Sequence, residues 1–387
     1  MKKIIVVLDG VADRPQLALD GKTPLEYAKT PNLDHIAKHS LMGCVKTIPK
    51  GMEVGSAVAN LNLLGFNPAA CYNGRAVIEG AGVGLQTDAD SMYIRCNFVT
   101  FEGRDFENSH IKSYSADDIP TEQSQKLTDL LNEKLFDQPF ELINTGSFRN
   151  ILAIHGKKDY YGKVAFMPAH DIIGKPICEN LPKGELGQMF TDYLKKAYEV
   201  LKDNGTKANG IWFWGDSIAP TIQNPGTNKI VLAETILMCG ITKIAGIDTI
   251  TLDESVPFSE FLTEKAKRAA KAINEKYDEA YVHIQKPDDL SHELKPVEKA
   301  EAVAQIDQYF FEPFLDELYG PYHIVVVSDH FTFSDDGSHG AEAAPFMLYC
   351  SGEEETKHQL RWTEENARSF DFEVTPQELH VLLNFEG

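Results

Sequence analysis

Aspartate and histidine residues stand after three apolar runs of this 387-residue chain, which read IIVVL, YVHI and IVVVS. The six residues are, in order, Asp9 after the first run, Asp288 and His292 after the second, and Asp329, His330 and His339 after the third. A single aspartate after a strand most often caps a turn or a helix. Together, however, carboxylates and imidazoles are the mixed oxygen and nitrogen ligands that zinc, manganese and iron bind. The pattern therefore predicts a metal centre, and six ligands can hold two ions in the clamp used for phosphoryl transfer.

A candidate nucleophile lies in the segment EVGSAVANLNLLG at 53–65, where Ser56 follows Gly55 and precedes apolar residues at helical spacing. Free N–H groups and the helix dipole favour an anion at such a helix N-terminus. A metal ion beside the hydroxyl would make it a nucleophile at neutral pH. A plain N-cap role explains the same residues equally well from sequence alone.

Five short apolar runs predict the strands that position these residues, at 4–8, 210–214, 281–284, 324–328 and 346–350. Continuous apolarity is typical of strands covered on both faces, so it favours an α/β domain with a mostly parallel sheet sandwiched by helices. Ligands bind beyond the carboxyl ends of such strands. Helical spacing or capping predicts helices over 30–40 and 296–320, and an amphipathic helix that ends at Gly205.

The middle of the chain has a different pattern. From about 88 to 205, polar and apolar residues alternate before the amphipathic helix, which predicts a smaller inserted α+β domain. We therefore expect a discontinuous metal-binding domain at 1–87 and 206–387, and an inserted substrate or cap domain at 88–205.

Composition excludes several kinds of partner. The formal charge of −21, with no basic patch, argues against nucleic-acid or anionic membrane surfaces. Six widely spaced cysteines indicate reduced thiols, and no run approaches the ~18 apolar residues of a membrane span. We expect a cytoplasmic protein without nucleic-acid or membrane partners, and the sequence leaves its oligomeric state open.

Nine stretches in consistent order from about 5 to 330 resemble the archaeal-type cofactor-independent phosphoglycerate mutases of the alkaline-phosphatase superfamily. They include VVLDGVADRP, GSAVANLNLLGFNP, YNGRAVIEGAGVGL, HIQKPDDLSH and VVVSDH. The resemblance implies an alkaline-phosphatase-like domain interrupted by a smaller one. It also implies a glycolytic isomerase, a 2,3-bisphosphoglycerate-independent phosphoglycerate mutase, that interconverts the small phosphorylated metabolites 3-phosphoglycerate and 2-phosphoglycerate.

The resemblance also implies the roles of individual residues. Two divalent ions (Mn, Zn or Mg) would be held by two ligand sets, Asp288, His292 and His339 for one ion, and Asp9, Ser56, Asp329 and His330 for the other. Ser56 would become phosphorylated during catalysis. Substrate charge would be bound by Arg75, Arg95 and Arg149, since arginine binds carboxylates and phosphates in bidentate fashion. His170, Asp171 and Lys175, in the stretch HDIIGKPI, are either substrate contacts or part of an ordinary loop.

The chain also departs from the family pattern near the expected substrate. Ala57 stands where the family has aspartate, Asn150 stands where it has histidine, and no Asn-Arg-x-Arg stretch precedes 208. This divergence keeps open a homoserine kinase-like phosphotransferase of threonine biosynthesis, a metal-dependent phosphatase, and a non-catalytic metal-binding protein. The two tryptophans Trp212 and Trp214 are interpreted as core packing.

Overall fold

The computed structural model describes residues 1–224, 226–353 and 355–384 and contains two compact units. The first unit comprises Met1–Tyr72 and Ile222–Gly387, and the second comprises Asn73–Thr221. The segment 88–205 lies within the second unit. The roles expected for the two domains stay predictions.

The strands are, in chain order, β1 (Lys2–Leu8), β2 (Leu41–Val45), β3 (Met92–Gly103), β4 (Ser109–Ser113), β5 (Phe140–Gly146), β6 (Arg149–Ile154), β7 (Gly210–Ile218), β8 (Lys229–Leu232), β9 (Asp248–Ile250), β10 (Glu279–Ile284), β11 (Tyr322–Val327), β12 (Phe331–Thr332), β13 (His339–Gly340), β14 (Ala344–Cys350) and β15 (Glu373–Val374).

The α-helices are α1 (Pro24–Tyr27), α2 (Pro31–Ala37), α3 (Ser56–Leu63), α4 (Pro68–Cys71), α5 (Ala76–Gly82), α6 (Thr121–Lys134), α7 (Ile177–Asn180), α8 (Gly187–Leu201), α9 (Ile236–Ala245), α10 (Phe258–Glu275), α11 (Lys286–His292), α12 (Pro296–Ile306), α13 (Glu312–Glu317), α14 (Glu364–Ser369) and α15 (Pro376–Leu383). Short 3₁₀ turns cover Leu17–Leu19, Lys158–Tyr160 and Ala169–Ile172, and a π-helical turn at Asp307–Phe311 joins α12 to α13. The predicted helices at 30–40, at 296–320 and before Gly205 are confirmed as α2, as α12 with α13, and as α8.

The first unit contains an eight-stranded sheet in the order β15-β2-β14-β11-β1-β10-β8-β9. The five adjacent strands from β11 to β9 are parallel, whereas β14 is antiparallel to both of its neighbours. Ile4, Val6 and Leu8 of β1 pack in one core with residues of α10 and α12. This arrangement confirms the α/β prediction with its mostly parallel sheet.

The register of the three central strands brings their carboxyl ends together. Val7 of β1 pairs with His283 of β10 and with Val327 of β11. Each strand therefore ends at nearly the same level, and the residues that follow the strands meet at one edge of the sheet.

The second unit contains a five-stranded sheet in which every pairing is antiparallel. Its central strand β3 pairs with β4, β6 and β7, and β5 pairs with β6. The run at 210–214 is a strand, as predicted, but it lies in this sheet as β7 and not in the parallel one. Trp212 and Phe213 are both almost fully buried, so both faces of β7 are covered. A continuous apolar run therefore indicates that both faces of a strand are buried, but it does not show whether the strand belongs to the parallel or the antiparallel sheet.

Within the part of the chain that the structure describes, no helix is both long and apolar enough to cross a membrane.

Gly10 makes the turn that follows β1 and lies close to two side chains. Its φ is +57°, and a Cβ built there would lie 2.7 Å from Asp288 Oδ1 and closer still to Thr332 Oγ1. Only glycine combines this conformation with this close approach.

Gly10→Ala should therefore destabilise the metal-free protein more than Gly21→Ala. Gly21 also has a positive φ, +77°, but a Cβ there would meet no atom within 4 Å. The left-handed backbone should cost each variant about 1 kcal/mol, and overpacking should destabilise Gly10→Ala by about 1–3 kcal/mol more. Urea unfolding measures both free energies, and equal losses would contradict the steric explanation.

Candidate metal centre

Three buried carboxylates meet at the carboxyl edge of the parallel sheet. Asp9 follows β1, Asp329 follows β11, and Asp288 lies in α11 after β10. Asp9 and Asp329 have no exposed surface, and Asp288 is 4% exposed. Burial of several carboxylates together is costly unless cations or hydrogen-bond donors compensate it.

Asp9 has no such compensation within the described chain. Neither of its carboxylate oxygens accepts a hydrogen bond. Its nearest partners are Nε2 of His283, 3.0 Å from Oδ2, and Nε2 of His330, 3.5 Å from Oδ1. Burial raises the pKa of Asp9 well above its usual value, and the charges of Asp329 and Asp288 raise it further. A bound cation would reverse both effects and stabilise the carboxylate.

Asp329, in contrast, is held by hydrogen bonds. Its Oδ1 accepts from the backbone N–H groups of Gly10 and His330, each at 3.0 Å. Its Oδ2 accepts from Asn60 Nδ2 at 2.8 Å, and Tyr281 donates to Asn60 Oδ1 at 2.6 Å. This chain of donors fixes the orientation of the carboxylate without occupying all of its lone pairs.

The hydrogen bonds of His330 fix its tautomer. Nδ1 lies 3.2 Å from the carbonyl oxygen of Phe331, which can only accept, and 3.1 Å from Thr332 Oγ1. Thr332 uses its own hydrogen to donate to Asp288 Oδ1 at 2.7 Å, so it also accepts from His330. Nδ1 therefore carries the hydrogen, and burial lowers the pKa of His330. The Nε2 lone pair is left facing the carboxylates, as in a metal-ligating histidine.

Asp288, His292 and His339 form a second, more exposed group. Nε2 of His292 lies 3.3 Å from one Asp288 oxygen, and Nε2 of His339 lies 3.6 Å from the other. The two Nε2 atoms are 3.1 Å apart. Burial alone would raise the pKa of Asp288, but its contacts with the two histidines hold that pKa well below its usual value. The pKa of His292 is raised, chiefly by its bond to Asp288.

Ser56 is the first residue of α3, and Gly55 is the N-cap, so the serine does not cap the helix. Its Oγ lies 3.0 Å from His330 Nε2. Since that nitrogen is an acceptor, the hydroxyl donates to it. Ser56 thus lies next to His330, beside the three buried aspartates, and at a helix N-terminus, where anions bind.

The donor types and their spacing fit divalent metal ions. The ligand atoms fall into three overlapping groups, each within 4.8 Å, namely Asp288 with His292 and His339, Asp9 with Asp288 and His330, and Asp9 with His283 and Asp329. Seven residues predicted as ligands therefore lie together in the first unit. His283 was missed, because its position inside the apolar run YVHI was interpreted only as strand.

Arg95, Arg149 and His170 line a cavity of about 150 Å³ in the second unit. Arg95 makes a bidentate ion pair with Glu79, at 2.9 and 2.7 Å, and Arg75 donates to the same carboxylate at 2.9 Å. Arg75 and Arg95 are therefore paired with one acidic residue that sequence reasoning missed, and Arg149 lines the same cavity as that residue.

The remaining predicted substrate residues lie elsewhere on the second unit. Asp171 and Lys175 are exposed, lie outside that cavity lining and interact with each other, the lysine Nζ donating to the Asp171 carbonyl oxygen at 2.9 Å. Trp214 also differs from its interpretation as core packing. Arg95 stacks 4.1 Å from its ring, and Trp214 lines the cavity together with Asn150.

A family model described as 2,3-bisphosphoglycerate-independent phosphoglycerate mutase matches residues 37–206. A protein of that name from Methanosarcina barkeri is 33% identical over 388 residues, which cover 95% of this chain and 95% of the relative. A solved Pyrococcus horikoshii protein has a TM-score of 0.78 at 23% identity and covers 99% of this chain and 96% of its own. The solved cofactor-independent phosphoglycerate mutase from Thermoplasma acidophilum has a TM-score of 0.65 at 20% identity, with 99% of each chain covered. The two structures confirm the predicted fold.

Thr332→Val should weaken metal binding, because it removes the hydroxyl that orients both Asp288 and His330. We expect the affinity for Mn²⁺ to fall by about 10- to 100-fold, as for other residues that orient ligands. Titration calorimetry on metal-free protein measures this loss. Thr263→Val is the matched control, since the Thr263 hydroxyl donates to the Ser259 carbonyl within α10, away from the metal centre. An unchanged affinity in Thr332→Val would show that this hydroxyl does not support the centre.

Proposed function

Because the chain belongs to the family of 2,3-bisphosphoglycerate-independent phosphoglycerate mutases, we propose that it interconverts 3-phosphoglycerate and 2-phosphoglycerate through a phosphoserine at Ser56. The observation that carries the proposal is the placement of Ser56 Oγ 3.0 Å from His330 Nε2, which itself lies 3.5 Å from Asp9, the buried carboxylate that accepts no hydrogen bond. A candidate nucleophile, the N-terminus of a helix and a candidate metal centre thus lie within one unit.

Ser56 is the proposed nucleophile. In the structure the hydroxyl donates to His330 Nε2. When an ion is bound, that nitrogen would be its ligand, and the hydroxyl would lose its proton so that Oγ can attack the phosphorus atom. Oγ forms a bond to phosphorus as the bond from phosphorus to the substrate oxygen breaks, and the released oxygen takes up a proton to become a hydroxyl. The other hydroxyl of the retained glycerate then loses its proton and bonds to phosphorus as the bond to Oγ breaks, and the serine oxygen regains a proton. Positioning and charge neutralisation supply most of the catalysis in such transfers.

Two divalent ions complete the proposed centre. One would be held by Asp288, His292 and His339, and the other by Asp9, Ser56, Asp329 and His330. When bound, the ions would neutralise phosphoryl charge and lower the pKa of the serine hydroxyl. The mixed carboxylate and imidazole set suits manganese or zinc better than magnesium. The structural support is the cluster of aspartate and histidine side chains, of which His292 and His339 are partly exposed and the others buried.

The arginine-lined cavity of the second unit is the proposed binding site for substrate charge. Arg95 and Arg149 supply guanidinium groups, and His170 lies in the same lining. Arg75 contributes through the Glu79 carboxylate that it shares with Arg95. Asp171 and Lys175, which are exposed, are weaker candidates.

A homoserine kinase-like phosphotransferase is the second candidate function. It is favoured by Asn150, which replaces the family histidine and lines the same cavity as Arg95 and Arg149. The neutral side chain reduces the positive charge available to a doubly anionic substrate. Assays of 3-phosphoglycerate and of homoserine with ATP, run side by side, distinguish the two.

Ser56→Ala should abolish turnover of 3-phosphoglycerate and leave the fold intact, because it removes only the nucleophilic oxygen. A coupled assay with enolase measures turnover, and circular dichroism checks the fold. Ser369→Ala, in the exposed end of α14, is the control and should retain full activity. Activity retained by Ser56→Ala would exclude the phosphoserine mechanism.

Arg149→Met should lower kcat/KM by about 10- to 100-fold, since a hydrogen bond to a charged group is worth about 1.5–3 kcal/mol. The loss should fall mainly on KM if the residue binds substrate charge in the ground and transition states alike. Arg104→Met, which removes an exposed arginine of the same unit, should change neither constant. Equal kinetics for the two variants would remove Arg149 from the substrate site.

A further inference from the structure

We propose that His283 is an additional ligand of the ion held by Asp9 and Asp329, and that it sets the preference of that site for ions that bind imidazole. The inference rests on the proposed metal-dependent function. It adds to the centre a residue that follows no strand and belongs to neither predicted ligand set.

The first observation is a convergence of buried atoms without hydrogen bonds. Five buried side-chain nitrogen or oxygen atoms in the described residues have no hydrogen-bond partner. Three of these five atoms lie next to one another: both carboxylate oxygens of Asp9 and Nε2 of His283, which is 3.0 Å from Oδ2. Buried polar atoms are rarely left unsatisfied, so a shared missing partner explains all three at once.

The second observation is the geometry of the contact. His283 Nε2 lies 3.0 Å from Asp9 Oδ2, yet neither atom takes part in a hydrogen bond. An imidazole that merely oriented the carboxylate would donate its N–H along the line to the oxygen. A nitrogen and a carboxylate oxygen that lie side by side instead suit a cation that both contact.

The third observation is the face of the sheet on which His283 lies. Side chains two residues apart on a strand share a face, so His283 lies on the same face as Tyr281. Tyr281 bonds to Asn60 of α3, and Asn60 bonds to Asp329. His283 therefore faces the helix that carries Ser56, and its ligand atom groups with those of Asp9 and Asp329 within 4.8 Å.

With His283 included, this site offers two imidazoles, from His283 and His330, beside two carboxylates. Imidazole ligands favour zinc, copper, iron and nickel, whereas magnesium, and to a lesser degree manganese, prefer oxygen ligands. If His283 is a ligand, its loss should lower the affinity for some ions more than for others. A residue that only positions Asp9 should affect the affinity for all ions equally.

The test uses the full chain with His292→Ala and His339→Ala, which disables the other ligand set so that one site is titrated. Both residues are partly exposed, with 44% and 25% of their side chains accessible, so the fold should tolerate the changes. Calorimetry then measures the binding of Zn²⁺, Mn²⁺ and Mg²⁺ with and without His283→Gln.

We expect His283→Gln to lower the Zn²⁺ affinity by at least about tenfold and the Mn²⁺ affinity by less, with little change for Mg²⁺. His323→Gln is the matched control, because His323 is another buried histidine of the same sheet, on β11, and bonds to the carbonyl of Leu383. No loss of affinity, or an equal loss for all three ions, would overturn the proposal. If the background protein with His283 bound none of the three ions, the metal centre of the proposed function would itself fail.

A second measurement does not depend on any change at His283. Pulsed electron paramagnetic resonance of the Cu²⁺-loaded background protein counts the imidazole nitrogens bound to the ion. Two coordinated imidazoles are expected, from His283 and His330. A single one would overturn the proposal even if His283→Gln failed to fold.

Discussion

Uncompensated negative charge at one edge of the parallel sheet is the constraint around which the first unit is organised. Asp9, Asp288 and Asp329 are all buried there, and Asp9 receives no hydrogen bond. A buried carboxylate without donors costs several kcal/mol unless it is neutralised or paired. Cations bound beside these aspartates would offset this cost, and their binding would also stabilise the folded chain.

The three buried aspartates receive different numbers of hydrogen bonds from the surrounding residues. Asp329 is held by two backbone N–H groups and Asn60, and Asp288 is held by Thr332, whereas Asp9 is left open. The same Thr332 fixes the tautomer of His330, so that its free nitrogen faces Ser56. The centre is therefore oriented before any ion arrives, which is the condition for catalysis by preorganised charge.

Much of this centre could be predicted because strand ends are visible in sequence. Asp9 and Asp329 interrupt continuous apolar runs, and parallel strands bring their ends together without further information. His283 could not be recognised in this way, since it lies inside a run, and only the register with β1 places it beside Asp9. The cavity of the second unit depends on Glu79 and Trp214, which come from distant segments and carry no local pattern. The prediction that 210–214 belongs to the parallel sheet was wrong because strands of both sheets are buried on both faces, so the apolar pattern is the same in each.

The most direct measurement of the central claim is mass spectrometry of the metal-loaded protein, quenched in acid during turnover of 3-phosphoglycerate. A phosphoryl group on the peptide that contains Ser56, appearing with substrate and absent without it, is the expected result. Turnover with no phosphopeptide, or with the phosphoryl group on another residue, would contradict the role given to Ser56.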